Sequence, residues 1–288
     1  MKTLCLFTSD LHGRQSRYEA LLKEIRRREP DIVLLGGDLL PHVHLSGNNK
    51  IGAEDFAYEY LPRKFSGLRD KMGSRYPRIL LILGNDDPRY LESCFTENEH
   101  KGLWHYLHMR TMEISGYFFT GYAMVPPTPF QLKDWERYDV SRYTDPGCTD
   151  PFEGYRTVEP DTDIEYATIQ KDLENLAHQL DMKRSVFLFH SPPYDCALDR
   201  AALDGMQVDH VPLDVHVGSI AIRRFIEEKQ PLLTLHGHIH ESTRLTGSWS
   251  AMFGKTLAMN GATDGGELCL ISFDPGSPGS AVRALISS

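Results

Sequence analysis

The chain reads as an α/β fold, and three observations carry that reading. Short apolar runs alternate with amphipathic stretches along the first half of the chain. Strand–helix–strand repetition of that kind builds a parallel sheet with helices on its faces. Five of the apolar runs also end in residues with metal-ligand chemistry, and in open α/β sheets ligands bind outside the carboxyl ends of the strands. The last of the five, residues 232–235, runs into His236-Gly237-His238-Ile239-His240. Three imidazoles at alternate positions on a strand end suit a divalent transition metal; a polar loop with surface histidines is the plain alternative.

Residues 3–8 predict the first strand. Tyr18, Leu21, Leu22 and Ile25 recur at helical spacing, and Pro30 stops that helix. Residues 32–35 and 79–83 predict the next two strands, with a helix over 53–72 between them. Residues 109–114 and 117–122 flank Ser115-Gly116 and predict a β-hairpin. The stretch 126–160 is irregular and carries Phe130, Trp135, Tyr138, Tyr143 and Phe152. A segment of that length inside a compact domain is usually functional, and its aromatic content predicts packing rather than disorder. Helical spacing resumes with Ile169, Leu173, Leu176, Ala177 and Leu180, and Thr162 with Glu165 has the form of a capping box at its start. Residues 186–189 predict another strand. Ser219 is placed to cap a helix carrying Ile222, Phe225 and Ile226 that ends near Pro231. Residues 255–259, 268–273 and 281–286 predict the late strands. With no internal repeat or low-complexity linker, residues 1–288 are expected to form one domain with a long irregular insertion at about 123–161.

The composition, 41% hydrophobic and 25% charged, is that of a globular protein with an ample core. A net charge of −9 disfavours long nucleic acid, whose recognition needs clustered Lys and Arg. The five cysteines, at 5, 94, 148, 196 and 269, form no CxxC pair, so neither a structural zinc site nor a disulfide framework is indicated. The apolar run 4–7 is shorter than the roughly 7–15 residues of a signal peptide. No run approaches the roughly 20 residues of a membrane span. A cytoplasmic protein without membrane contact is expected.

The strand ends gather Asp10-Leu11-His12, Gly36-Gly37-Asp38, Gly84-Asn85-Asp86-Asp87, His190 and the histidines after 235. Each alone is ordinary; Gly-Asp commonly just makes a turn. Together they supply carboxylate, imidazole and amide donors and no thiolate, which suits Mn, Fe, Zn or Co in an open catalytic site. The donors are too many for one ion. Two divalent ions lie about 3.5–4 Å apart and need a carboxylate or hydroxide between them. Asp10, Asp38 and a bridging hydroxide leave such a pair net positive, which favours a phosphate ester over a neutral substrate.

The order DxH, GGD, GN-x-D, H, GHxH resembles the calcineurin-like metallophosphoesterase family. His190-Ser191-Pro192-Pro193-Tyr194, and the stretch from Gly218-Ser219-Ile220 to His238-Ile239-His240-Glu241-Ser242, resemble its Icc-related predicted phosphoesterase branch. The resemblance spans residues 10–240. It implies a four-layer αββα sandwich with two central mixed β-sheets and a dinuclear centre. It further implies that Asp10, His12, Asp38 and His240 bind one metal, and that Asp38 bridges to a second metal bound by Asn85, His190 and His238. His236 falls outside that ligand set. The implied reaction is in-line attack of a metal-bridging hydroxide on a small phosphate-ester substrate, a diester in preference to a monoester. The competing reading is a non-catalytic metal-binding scaffold on the same fold, as one retromer subunit is; occupation of all seven ligand positions weighs against it.

The chain departs from the family where a histidine commonly follows Gly-Asn and helps protonate the leaving group. Here that position is Asp86, the candidate catalytic residue. A carboxylate of ordinary pKa, about 3.9, is anionic at neutral pH, donates no proton and repels phosphate. Crowding between Asp86 and Asp87 would raise one of the pair. The metals alone, or His42 or His44, are the alternative means of stabilising the leaving oxygen. Arg14 is a candidate contact for substrate phosphate, with the first turn of a helix as its plain alternative. Good leaving groups are expected to be favoured. The pocket walls are expected from 39–53 and 122–161, where no motif names a ligand.

Overall fold

Apolar runs rich in Leu, Ile and Phe form the inner strands, and burial on both faces keeps those runs unbroken. The computed structural model describes residues 2–42, 52–160 and 163–287. Its first sheet has the order Val282–Ile286, Leu268–Phe273, Cys5–Thr8, Ile32–Gly36, Arg78–Ile82, His105–Tyr106. The last four of these pair in parallel, and Leu268–Phe273 runs antiparallel to Cys5–Thr8. The second sheet has the order Ser250–Phe253, Thr256–Asn260, Leu233–His236, Ser185–Phe189, Tyr117–Tyr122, Arg110–Ile114. Its four inner strands are parallel and both edges antiparallel. Two six-stranded mixed sheets with helices give the α/β sandwich expected from the sequence. One cluster of buried side chains joins Phe7, Leu34 and Leu81 of the first sheet to Phe119, Phe187 and Leu235 of the second.

The helices follow their periodicity. Gln15–Arg28 buries Tyr18, Leu21, Leu22 and Ile25, and Glu29 ends it in left-handed backbone. Ile220–Lys229 buries Ile222, Phe225 and Ile226, and Ser219 Oγ accepts from Ile222 N at 3.0 Å. The helix expected over 53–72 is Ala53–Asp55 and Leu61–Met72 joined by a π-helical turn, Phe56–Tyr60. Pro62 has no N–H for the carbonyl four residues back, and a wider turn absorbs that defect. One cap differs from expectation. Thr162 lies outside the described residues, and the helix, Ile169–Leu176, begins later, with Thr168 accepting from Lys171 N at 3.2 Å. Glu165 pairs with Arg142 instead. The helix Glu92–His100 and the edge strand Ser250–Phe253 had no clear signal in the sequence.

The irregular stretch 126–160 packs down in part. Trp135 and Tyr138 are buried, while Phe130, Tyr143 and Phe152 stay exposed. Lys133 Nζ donates to Glu136 Oε2 at 2.6 Å and to Thr128 O at 2.9 Å, and both ends of this ion pair are fully buried. Asp139 accepts from Ile220 N at 2.6 Å and from Ser219 Oγ at 2.5 Å, fastening the insertion to the start of a helix. All five cysteines are free. Among the described residues no helix is long and apolar enough to cross a membrane.

Candidate metal centre

Parallel strands point their carboxyl ends the same way, so residues distant in sequence meet at one edge. Cys5–Thr8 delivers Asp10 and His12, Ile32–Gly36 delivers Asp38, and Arg78–Ile82 delivers Asn85. In the second sheet Ser185–Phe189 delivers His190, and Leu233–His236 delivers His238 and His240. Backbone bonds lock the loops together: Asp10 N to Gly37 O at 3.0 Å, His12 N to Asp38 O at 2.8 Å, and Gly237 N to His190 O at 2.9 Å. Asp10, His12, Asp38 and His238 all take left-handed backbone, at φ 58°, 46°, 51° and 71°, a region that Asp and His tolerate better than most residues.

The ligand atoms fall into two groups that share Asp38. Those of Asp10, His12, Asp38 and His240 lie within 4.8 Å of one another, as do those of Asp38, His190 and His238. In the first group, His240 Nε2 is 3.0 Å from both His12 Nε2 and Asp10 Oδ1. In the second, His190 Nε2 is 3.3 Å from Asp38 Oδ2 and 3.0 Å from Asn85 Oδ1. His190 Nδ1 donates to Gly36 O at 2.8 Å, which turns Nε2 inward. Gly84 and Gly237 leave room for this convergence. A Cβ at Gly84 would stand 2.3 Å from Asp38 Oδ1, and one at Gly237 2.4 Å from Asp10 Oδ2.

Electrostatics prepare Asp10, Asp38, His12 and His238 for cations. Burial works to raise Asp10, yet the hydrogen bond from His240 and the neighbouring imidazoles bring its pKa down to about 2. Asp38 is likewise held ionised against its burial, chiefly by His190. Burial lowers His12 to about 4 and His238 to about 3, so both keep a lone pair at neutral pH. For His190, burial is outweighed by Asp38, which raises the pKa to about 10. Ionised carboxylates and inward-facing imidazole nitrogens with no thiolate are a donor set that fits two divalent ions sharing a carboxylate.

The remaining candidates lie around this cluster. Asp86 is half-buried, with Oδ2 3.1 Å from His42 Nδ1, and its backbone N donates to Asp38 Oδ1 at 2.9 Å. The adjacent Asp86 carboxylate raises the pKa of His42. His44 lies outside the described residues. The carboxyl that is raised is that of Asp87, to about 7, by burial and then by Asp38. It accepts from Leu39 N, Leu40 N and Gly84 N at 3.0, 2.8 and 2.9 Å, tying two ligand loops together. Arg14 is exposed and donates to Gly265 O at 3.1 Å. The buried Arg17, which no motif marked, donates to the Asp10 carbonyl at 2.5 Å and to Gly265 O at 2.7 Å. A charged residue on the apolar stripe beside Tyr18 was the available signal. His236 is fully buried and has both nitrogens engaged, with Ser191 O at 2.9 Å and Thr234 Oγ1 at 2.8 Å. The insertion reaches the centre through Trp135 Nε1, which donates to Asp87 O at 2.7 Å, and Asp134, which accepts from Arg89 N at 2.7 Å.

The family model described as calcineurin-like phosphoesterase matches residues 4–242. Among solved structures, one crystal structure aligns with a TM-score of 0.60 at 16% identity, covering 100% of both chains. The crystal structure of TT1561 of Thermus thermophilus aligns with a TM-score of 0.55 at 18% identity, covering 99% of both. A novel archaeal phosphodiesterase aligns with a TM-score of 0.44 at 10% identity, covering 99% of this chain and 100% of that one. At such identities the likeness to TT1561 is one of fold. No curated protein matches the chain.

Proposed function

Because the chain belongs to the calcineurin-like phosphoesterase family, we propose that it is a hydrolase of phosphate esters, using two divalent ions (Mn, Fe, Zn or Co) and acting on small phosphodiesters. The observation that carries this is the pair of donor groups sharing Asp38. In this reading Asp10, His12, Asp38 and His240 hold one ion, and Asp38, Asn85, His190 and His238 the other. Bound there, the ions supply charge neutralisation for the phosphoryl oxygens and a nucleophile from water at neutral pH.

The protein's own part is to hold most of the donors in their binding state, His190 excepted, which gives up a proton on binding, and to shape the charge around the phosphate. The ionised Asp10 and Asp38 and the neutral His12 and His238 need no proton loss before they bind. Asp86 adds a carboxylate beside the first group, 3.7 Å from His12 Nδ1. A phosphomonoester carries between one and two negative charges at pH 7, its second pKa being about 6, whereas a diester carries one. The carboxylate therefore repels the monoester more. Asp86 also accepts a hydrogen bond from Asn85, and favoured substrates are esters whose leaving oxygen departs without a proton.

Hydrolysis of bis-p-nitrophenyl phosphate and p-nitrophenyl phosphate with added Mn²⁺ tests this. Expected is faster turnover of the diester, abolished by EDTA. Asp38→Asn should lower the rate by more than the roughly 10–100-fold that loss of an outer partner of a metal ligand costs. Metal at full occupancy without turnover of any ester would replace the hydrolase reading with that of a binding scaffold.

A further inference from the structure

Three side chains meet at Asp86, and two of them reach the centre with their other ends. Asp86 Oδ1 accepts from Asn85 Nδ2 at 3.2 Å, and the carbonyl oxygen of that same amide lies 3.0 Å from His190 Nε2, in the second donor group. Asp86 Oδ2 lies 3.7 Å from His12 Nδ1, a buried nitrogen that has no hydrogen-bond partner among the described residues. The opposite nitrogen of that ring, Nε2, faces Asp10, Asp38 and His240 in the first group. A neutral imidazole that offers a lone pair at Nε2 carries its proton on Nδ1, and here that proton faces a carboxylate. His42 completes the arrangement: it pairs with Asp86 Oδ2 at 3.1 Å and stacks on the His12 ring, centroids 4.4 Å apart and planes 15° apart.

We propose that Asp86 is a positioning residue for both halves of the metal centre, its Oδ1 holding the amide of Asn85 and its Oδ2 holding His42, whose ring is stacked on that of His12. This deepens the hydrolase reading and rests on it. Groups that orient metal ligands from outside the ligand set, when lost, cost about 10–100-fold in metal affinity. A carboxylate accepts on both of its oxygens. Asparagine at this position keeps one acceptor and turns an NH2 toward the other neighbour. Histidine accepts at one nitrogen at most. With both oxygens so used, Asp86 acts as an acceptor and not as the donor of a proton to the leaving group.

The test is Mn²⁺ binding to metal-free protein, measured by competition with a fluorescent indicator, for the parent, Asp86→Ala and Asp86→Asn, with thermal melts to verify folding. The parent is expected to bind two ions. Asp86→Ala should weaken both binding steps by about 10-fold or more, and Asp86→Asn at least one of them. Should Asp86→Ala fail to fold, the near-isosteric Asp86→Asn carries the test. Variants that bind Mn²⁺ within two-fold of the parent, and lose rate only on esters with poor leaving groups, overturn the positioning role and make Asp86 the proton donor. A parent that binds no Mn²⁺ overturns the metal reading itself, a result distinct from unchanged affinity in the variants.

Discussion

Asp10, His12, Asp38 and His238 sit on backbone that most side chains avoid, and such strain persists where surrounding bonds over-determine it. Their convergence depends as much on what is missing beside them. Gly237→Ala would drive a Cβ to within 2.4 Å of Asp10 Oδ2. It should cost about 1–3 kcal/mol of stability in urea unfolding and weaken Mn²⁺ binding in the same preparation. Gly279→Ala, with open space around it, should stay within about 0.5 kcal/mol of the parent. The side chains that converge were legible in the sequence because metal chemistry admits few residue types and each stands just after an apolar run. The contacts of Asp86 with His12 and His42 were not, since they link three separate loops and no spacing encodes them. Arg17 stayed hidden for a similar reason: its partners are backbone carbonyls, which leave no trace in residue identity.

Strands buried on both faces were the most legible elements, because they read as unbroken apolar runs. Glu92–His100 buries only Cys94, Phe95 and Asn98 and has little periodicity to detect. Ser250–Phe253 is a half-exposed edge. The insertion announced its packing through Trp135 and Tyr138, but not the buried ion pair inside it. Lys133→Met should destabilise by about 3–5 kcal/mol, because Glu136 loses its buried counter-charge and keeps only the hydrogen bonds from Thr128. The double variant Lys133→Met/Glu136→Leu should recover much of that loss, as urea unfolding of the three proteins would show; equal losses would mean the pair is not what holds the insertion. On the first helix, the Arg27 hydrogen bond to Glu24, with Arg28 adding to it, lowers that carboxyl to about 2. A depressed pKa gives stability that is present above the ordinary value near 4.5 and fades as pH falls toward 2. Ion pairs within one helix whose arginines reach solvent contribute little. Melts of Glu24→Gln should therefore trail the parent slightly at neutral pH and converge on it only as pH falls below about 2.

At the scale of the whole molecule, two sheets bring the carboxyl ends of five strands to one edge, which is why motifs spread over residues 10–240 form one cluster. That order of motifs made the architecture legible. The substrate was not: of the two stretches expected to wall the pocket, residues 43–51 of the first lie outside the described residues, and the irregular stretch after 122 is shaped by tertiary bonds such as Trp135 to Asp87 and Asp139 to Ser219. With a net charge of −9, the edge that could hold cations is the feature suited to an anionic ester. Metal bound only by the folded state stabilises it, by about 2.7 kcal/mol per site at one hundred times the dissociation constant. Removal of metal by EDTA should lower Tm and Mn²⁺ should restore it; an unchanged Tm would mean that the centre binds no metal. The most direct measurement is a titration of metal-free protein with Mn²⁺ that follows hydrolysis of bis-p-nitrophenyl phosphate and bound metal together. A working dinuclear centre gives turnover that rises with occupancy and levels off at two ions per chain. Two bound ions with no turnover of any phosphate ester, or turnover indifferent to EDTA, would contradict it.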